Sequence, residues 1–241
     1  MRLQLGLDWR GEATRVRLTL PSQIDSASGI YEIPFGVVSR KPYSPRTNAK
    51  GEWPAHRFVA LEDGKHGLAL VNTGVAGVEI SGGTIYTTLL RAPKAVYVGM
   101  ERDETSSQHG HHDYTFSIVP YSGSWADAGV AKFAQELNSP LLTALRGAEI
   151  CSSASFLTLE PANVVLSSIK AAQDDPGQLI ARVYETAGRE TDAVLTMPTA
   201  RQVISCDLRE IPGEEVAAPR GELRFALKPF EIRSFRLIRH A

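Results

Sequence analysis

The sequence has few cysteines, few aromatic residues and almost no net charge. Among 241 residues there are 2 cysteines, 7% aromatic residues and a formal net charge of -1. Cys151 and Cys206 do not make a disulfide framework, so we expect free thiols in a reduced, cytoplasmic chain. The balanced charge argues against nucleic acid as a partner. No apolar run approaches the ~20 residues of a membrane helix, and the N-terminus lacks a signal-peptide pattern, so we expect no membrane partner.

Alternation of apolar and polar residues with a period of two dominates the sequence. Residues 3–7 and 16–20 follow it and predict two strands, which the polar turn Arg10–Glu12 between them could join as a hairpin. Residues 31–40 predict one further strand, with Pro34 at an edge or bulge. Short strands with glycine turns follow up to Ala92. This spacing is typical of an antiparallel β-sandwich.

One helix and a second β-rich region follow. Ser124, with Asp127 three residues on, predicts a helix start, and Asn138–Pro140 predicts its end. Seven short strand candidates then occupy the last ninety or so residues and predict a small, separate sandwich. We therefore predict an all-β fold: a large antiparallel sandwich with one short helix at 1–148, and a small C-terminal sandwich at 149–241.

Seven blocks along the chain carry a family resemblance. Each block is weak alone, but they occur in order over nearly the whole sequence: Tyr31–Gly36, Pro54–Arg57, Gly67–Asn72, Leu89–Pro93, Gly110–Phe116, Glu160–Leu166 and Arg182–Arg189. Together they resemble the C-terminal region of glycoside hydrolase family 38, the α-mannosidases, in its bacterial branch. The resemblance implies that the large sandwich is part of a galactose-mutarotase-like supersandwich.

The resemblance implies a function only for a larger protein. Family 38 enzymes hydrolyse terminal α-mannosides with retention, using two carboxyl groups and a zinc ion. Those groups belong to an upstream catalytic domain, so we expect no cofactor in this chain and zinc in that missing domain. The chain itself would be non-catalytic, completing the domain interface and one wall of the sugar pocket. Its expected partners are that domain of the same polypeptide and an α-mannoside, with a homo-oligomer left open.

Two residues are candidates for contact with the sugar. Arg91 ends an apolar strand, in which Leu89 and Leu90 cannot both point into one core, so we expect the strand to end or bend there. The resemblance places a sugar-facing arginine at this position, although a solvated arginine or a domain-bridging ion pair is the plainer interpretation. Trp53 lies in a proline-rich loop and could stack on a sugar ring.

Other polar clusters have plainer interpretations. His109, His111 and His112 lack the convergent ligands of a zinc site, so we interpret them as a loop leading into a strand. The tail arginines Arg233, Arg236 and Arg239 are interpreted as solvated strand positions. Two alternative functions stay open: a stand-alone carbohydrate-binding module, and a mutarotase-like or epimerase-like sugar enzyme. The first needs aromatic residues on an exposed sheet, and the second needs a paired histidine and carboxylate.

Overall fold

The computed structural model describes residues 1–26, 28–42, 51–93, 104–142 and 155–239. The chain forms two compact units, Met1–Ser139 and Pro140–Ala241. The boundary predicted between residues 148 and 149 lies outside the described residues. In the described part of the chain, no helix is long and apolar enough to span a bilayer.

Ten strands are described in the first unit. They are β1 (Arg2–Trp9), β2 (Thr14–Pro21), β3 (Gly29–Ile33), β4 (Gly36–Arg40), β5 (Trp53–Pro54), β6 (Phe58–Glu62), β7 (His66–Asn72), β8 (Gly77–Ser81), β9 (Thr84–Ala92) and β10 (Gly110–Ser122). They form a six-stranded sheet, in the order β1-β10-β7-β6-β3-β4, and a four-stranded sheet, in the order β2-β9-β8-β5. Every strand pair is antiparallel.

The core of this unit lies between the two sheets. Apolar residues alternate along the strands, so each sheet turns one apolar face to the other. The buried set contains Tyr31, Leu70, Ile85 and Phe116. The six-stranded sheet also buries its outer face, because helix α1 (Val130–Asn138) packs there through Val130, Ala131 and Ala134.

In the second unit, the structure describes eight strands. They are β11 (Thr158–Glu160), β12 (Val164–Ala171), β13 (Leu179–Glu185), β14 (Thr191–Thr196), β15 (Ala200–Cys206), β16 (Pro212–Val216), β17 (Glu222–Leu227) and β18 (Ile232–Arg239). A three-stranded sheet, β11-β14-β17, and a five-stranded sheet, β12-β13-β18-β15-β16, enclose an apolar core that includes Val183, Leu195, Leu223 and Phe235. The predicted all-β fold, a large antiparallel sandwich with one short helix followed by a small sandwich, is confirmed.

Three local predictions were wrong. β1 and β2 do not form a hairpin, because β1 pairs with β10 and β2 pairs with β9, in different sheets. Residues 31–40 are not one strand, because a turn with Phe35 at φ 58° separates β3 from β4. The helix begins at Val130 after Gly129, whose φ is 68°. Ser124 and Asp127 bond each other in the preceding turn, with the Asp127 amide 3.2 Å from Ser124 Oγ.

Candidate functional site

A β-bulge near the end of β9 places Arg91. The pairing of β2 with β9 runs Val16 to Leu90 and then Arg17 to Thr88, so Leu89 is the extra residue. A bulge bends its strand and changes where the following side chains point. Leu90 is 1% exposed, while Arg91 beyond it is exposed. The predicted bend of the strand at this point is confirmed.

Glu52 organises the charges beside that bulge. Its carboxylate is 3.3 Å from Arg15 Nη1 and 3.1 Å from Arg17 Nη2, and the hydroxyl of Thr88 donates a third contact. Arg17 also binds the carboxylate of Glu79. Burial raises the pKa of the Glu52 carboxyl, but the hydrogen bonds from Thr88 and Arg17 and the charge of Arg15 outweigh it and hold the pKa below its usual value. The Glu52 carboxylate therefore stays ionised and engaged.

Glu52 and Arg15 line a cleft of about 730 Å³ on the four-stranded sheet. Its described walls are formed by Ala13, Thr14, Arg15, Glu52, Arg91, Ala92 and Pro93. Arg91 pairs across the strands with Arg15. Among the described residues, the guanidinium of Arg91 has no ion pair and no hydrogen bond, and Arg91 is exposed and lines the cleft.

Trp53 lies on β5, at the edge of the same four-stranded sheet. Its side chain is 36% exposed. The guanidinium of Arg40 lies 5.1 Å from the Trp53 ring centroid and 4.9 Å from that of Tyr31. Arg40 also donates to the carbonyl of Pro54 at 2.7 Å. The ring face beneath Arg40 is thus occupied, so stacking of Trp53 on a sugar would use its other face.

A buried ion pair fixes the segment that follows Trp53. Glu32, 3% exposed, accepts hydrogen bonds from the Arg57 amide at 2.7 Å and from Arg57 Nε at 3.0 Å. The carbonyl of Glu32 accepts the His56 amide at 2.9 Å. Because one carboxylate holds both backbone and guanidinium, the chain near Glu52 and Trp53 is anchored to β3. Sequence reasoning missed this pair; its only signal was a glutamate between the apolar residues Tyr31 and Ile33.

His111 and His112 lie on β10, and His109 lies directly before it. Nδ1 of His111 is 2.8 Å from Asp8 Oδ1, and Nε2 of the same ring is 3.1 Å from Asp113 Oδ1. His112 donates to the carbonyl of Gln108 at 2.7 Å. The bonds to Asp8 and then Asp113 raise the pKa of His111. Within the described ranges, no three histidine, cysteine or acidic residues are placed to hold one metal ion.

Two of the three tail arginines of the second unit, Arg233 and Arg236, were wrongly interpreted as solvated, whereas Arg239 is exposed as predicted. Arg233 is half-buried, with its guanidinium 5.8 Å from the Phe225 ring and 5.3 Å from the Phe235 ring. The Arg236 side chain is 7% exposed and binds Asp174 at 2.6 Å. Both arginines stabilise the small sandwich, because a guanidinium can pack flat on aromatic rings or pair with a carboxylate.

Two family models match the chain. The model described as "Glycosyl hydrolases family 38 C-terminal domain" matches residues 1–96, which include the whole described wall of the cleft. The model described as "Glycosyl hydrolases family 38 C-terminal beta sandwich domain" matches residues 163–235, in the second unit.

Curated relatives match almost the whole chain. "Alpha-mannosidase 2C1" of Homo sapiens is 30% identical over 250 residues, covering 99% of this chain and 23% of that protein. "Alpha-mannosidase G" of Dictyostelium discoideum is 27% identical over 247 residues, covering 98% of this chain and 22% of that protein. The chain thus spans less than a quarter of the length of these relatives.

A solved structure shares the fold. The crystal structure of an alpha-mannosidase from Enterococcus faecalis V583 superposes with a TM-score of 0.80 at 19% sequence identity. The match covers 98% of this chain and 27% of that chain. At this identity the likeness establishes the fold alone, and it applies to both β-rich regions because nearly the whole chain is covered.

Proposed function

We propose that this chain, which the two family models assign to the C-terminal region of glycosyl hydrolase family 38, is the non-catalytic C-terminal part of an α-mannosidase. The whole enzyme would hydrolyse terminal α-mannosides with retention. One observation carries the proposal: relatives named alpha-mannosidase match 95–99% of this chain but only 22–23% of their own length. The catalytic carboxyl groups are expected in the part of those proteins that this chain does not match.

The zinc ion of such an enzyme is proposed to bind elsewhere in the full polypeptide. The cleft is a poor zinc site, because Glu52 is its one described carboxylate and is already engaged by Arg15, Arg17 and Thr88. A zinc ion needs three or four convergent nitrogen, sulfur or oxygen ligands, and guanidinium groups repel it. This chain is therefore proposed to contribute one wall of the sugar pocket and not the zinc site.

Arg91 is the residue proposed to face the sugar. Its guanidinium is exposed, unpaired among the described residues and held at the cleft by the bulge at Leu89. A guanidinium fork can donate two hydrogen bonds to neighbouring hydroxyl groups or to a carboxylate. The plainer role, an ion pair with another part of the polypeptide, would use the same fork.

Substitution of Arg91 by lysine tests this role in the full-length polypeptide. Arg91→Lys keeps the charge and removes the fork. The fall in kcat/KM for an aryl α-mannoside should correspond to a loss of about 1.5–3 kcal/mol of transition-state stabilisation. Arg2→Lys is the matched control, because Arg2 is an exposed strand arginine of the same unit and does not line the cleft. An Arg91→Lys enzyme as active as the Arg2→Lys enzyme would remove Arg91 from the sugar pocket.

A further inference from the structure

Arg15 and Arg91 form a pair of like charges on neighbouring strands. They are direct partners in the register of β2 and β9, and both line the cleft. The Arg15 side chain is 42% exposed, and Arg91 is exposed too. Directly opposed residues on paired strands have Cβ atoms about 4.5–5.5 Å apart, and like charges at this spacing destabilise the sheet. A pair placed in this way is stabilised by an anion that contacts both guanidinium groups.

Among the residues that the structure describes, the nearby carboxylates do not supply that anion. Glu52 contacts Arg15, Arg17 and Thr88 at once, and Glu79 is bonded to Arg17. The two positive charges of Arg15 and Arg17 are balanced by the two negative charges of Glu52 and Glu79. Within the described part of this site, the guanidinium of Arg91 is thus the excess positive charge. Arg15, its cross-strand partner, has donors that its contact at 3.3 Å to Glu52 does not use.

We propose that the Arg15–Arg91 pair binds an oxyanion carried by the substrate, a carboxylate or a phosphate group on an α-mannoside. Two guanidinium forks present several N–H donors to one group, the arrangement in which arginine recognises carboxylate and phosphate. That the oxyanion is carried by an α-mannoside rests on the proposed function. The oxyanion site itself is inferred from the residues of the cleft alone. It assigns Arg15 as a specificity-determining residue and acidic mannosides as the preferred substrate class.

The first test uses the 241-residue chain and inorganic phosphate. Phosphate is titrated into ¹⁵N-labelled protein at constant ionic strength, balanced with sodium chloride, and the amide signals of Arg15 and Arg91 are followed. We expect saturable shifts that disappear in Arg15→Gln and in Arg91→Gln and persist in Arg2→Gln. Shifts that do not saturate, or that survive both cleft substitutions, would overturn the oxyanion site.

The second test uses the full-length polypeptide and two aryl α-mannosides, one neutral and one bearing a carboxylate on the aryl ring. The ratio of kcat/KM for the acidic substrate to that for the neutral one should fall about 10-fold or more in Arg15→Gln, because a charge-assisted hydrogen bond is lost. Arg2→Gln should leave the ratio unchanged. If both substrates react and Arg15→Gln does not change the ratio, the inference is wrong; if neither reacts, the proposed function is wrong.

Discussion

The carboxylate of Glu185 offers a quantitative test of the second unit. Glu185 ends β13 and is 0% exposed. One carboxylate oxygen accepts the side-chain amide of Asn163 at 3.0 Å and the Ala187 amide at 2.6 Å. The other accepts the backbone amides of Gly188 at 2.7 Å, Arg189 at 3.2 Å and Phe230 at 3.1 Å. Five N–H donors from three segments of the chain therefore converge on one buried carboxylate.

Replacement of Glu185 by glutamine keeps the shape but exchanges one acceptor oxygen for a donor. At least two of the five N–H groups then lose their acceptor in a buried position. Each buried donor left unsatisfied costs about 1–3 kcal/mol, so the free energy of unfolding should fall by roughly 2–6 kcal/mol. A domain of ordinary stability has about 5–15 kcal/mol in total, so this loss is large.

Urea unfolding followed by NMR signals of the second unit measures this loss. Tryptophan fluorescence does not report on it directly, because Trp9, Trp53 and Trp125 all belong to the first unit. Glu190→Gln is the matched control, since the same change is made at an exposed position five residues along the chain. A Glu185→Gln protein within about 0.5 kcal/mol of the control, the usual range for surface substitutions, would refute the reasoning.

Two further predictions concern titration and redox state. Asp8 and Asp113 raise the pKa of His111 in the folded chain, so its contribution to stability is fully present below the unfolded pKa of about 6.5 and is lost as pH rises through the folded pKa. His111→Gln should therefore destabilise the protein more at pH 5 than at pH 8.5 in urea unfolding, and an equal effect at both pH values would contradict the assignment. Cys151 and Cys206 should both be free, so thiol titration of the denatured, unreduced protein should count two, whereas a count of zero would reveal a bridge.

The strand pattern of this chain was predictable from sequence, but the pairing of its strands was not. Alternation marks a strand with one buried face, and it located β1, β2 and β9 correctly. It says nothing about which strand lies alongside, so the partners of β1 and β2 were assigned wrongly. β10, at 13 residues, contributes to the six-stranded sheet over its whole length, and only long-range contacts place it between β1 and β7.

Around the cleft, local backbone geometry was predictable from the sequence, whereas contacts between charges on distant segments were not. Two successive leucines at 89 and 90 predicted the bend that exposes Arg91, because alternation cannot bury both. Glu52 lies in a loop 35 residues from Arg17, and no local pattern predicts their contact. In the same way, Arg236 was interpreted as solvated because its partner, Asp174, lies 62 residues away.

Hydrolysis of a neutral aryl α-mannoside by the full-length polypeptide, followed by NMR of the released sugar, tests the central claim most directly. We predict turnover with the α-anomer of mannose formed first, as retention requires, and no turnover by the 241-residue chain alone. Release of the β-anomer first, or zinc-dependent turnover by the 241-residue chain alone, would contradict the assignment of this chain as the non-catalytic part of a retaining α-mannosidase.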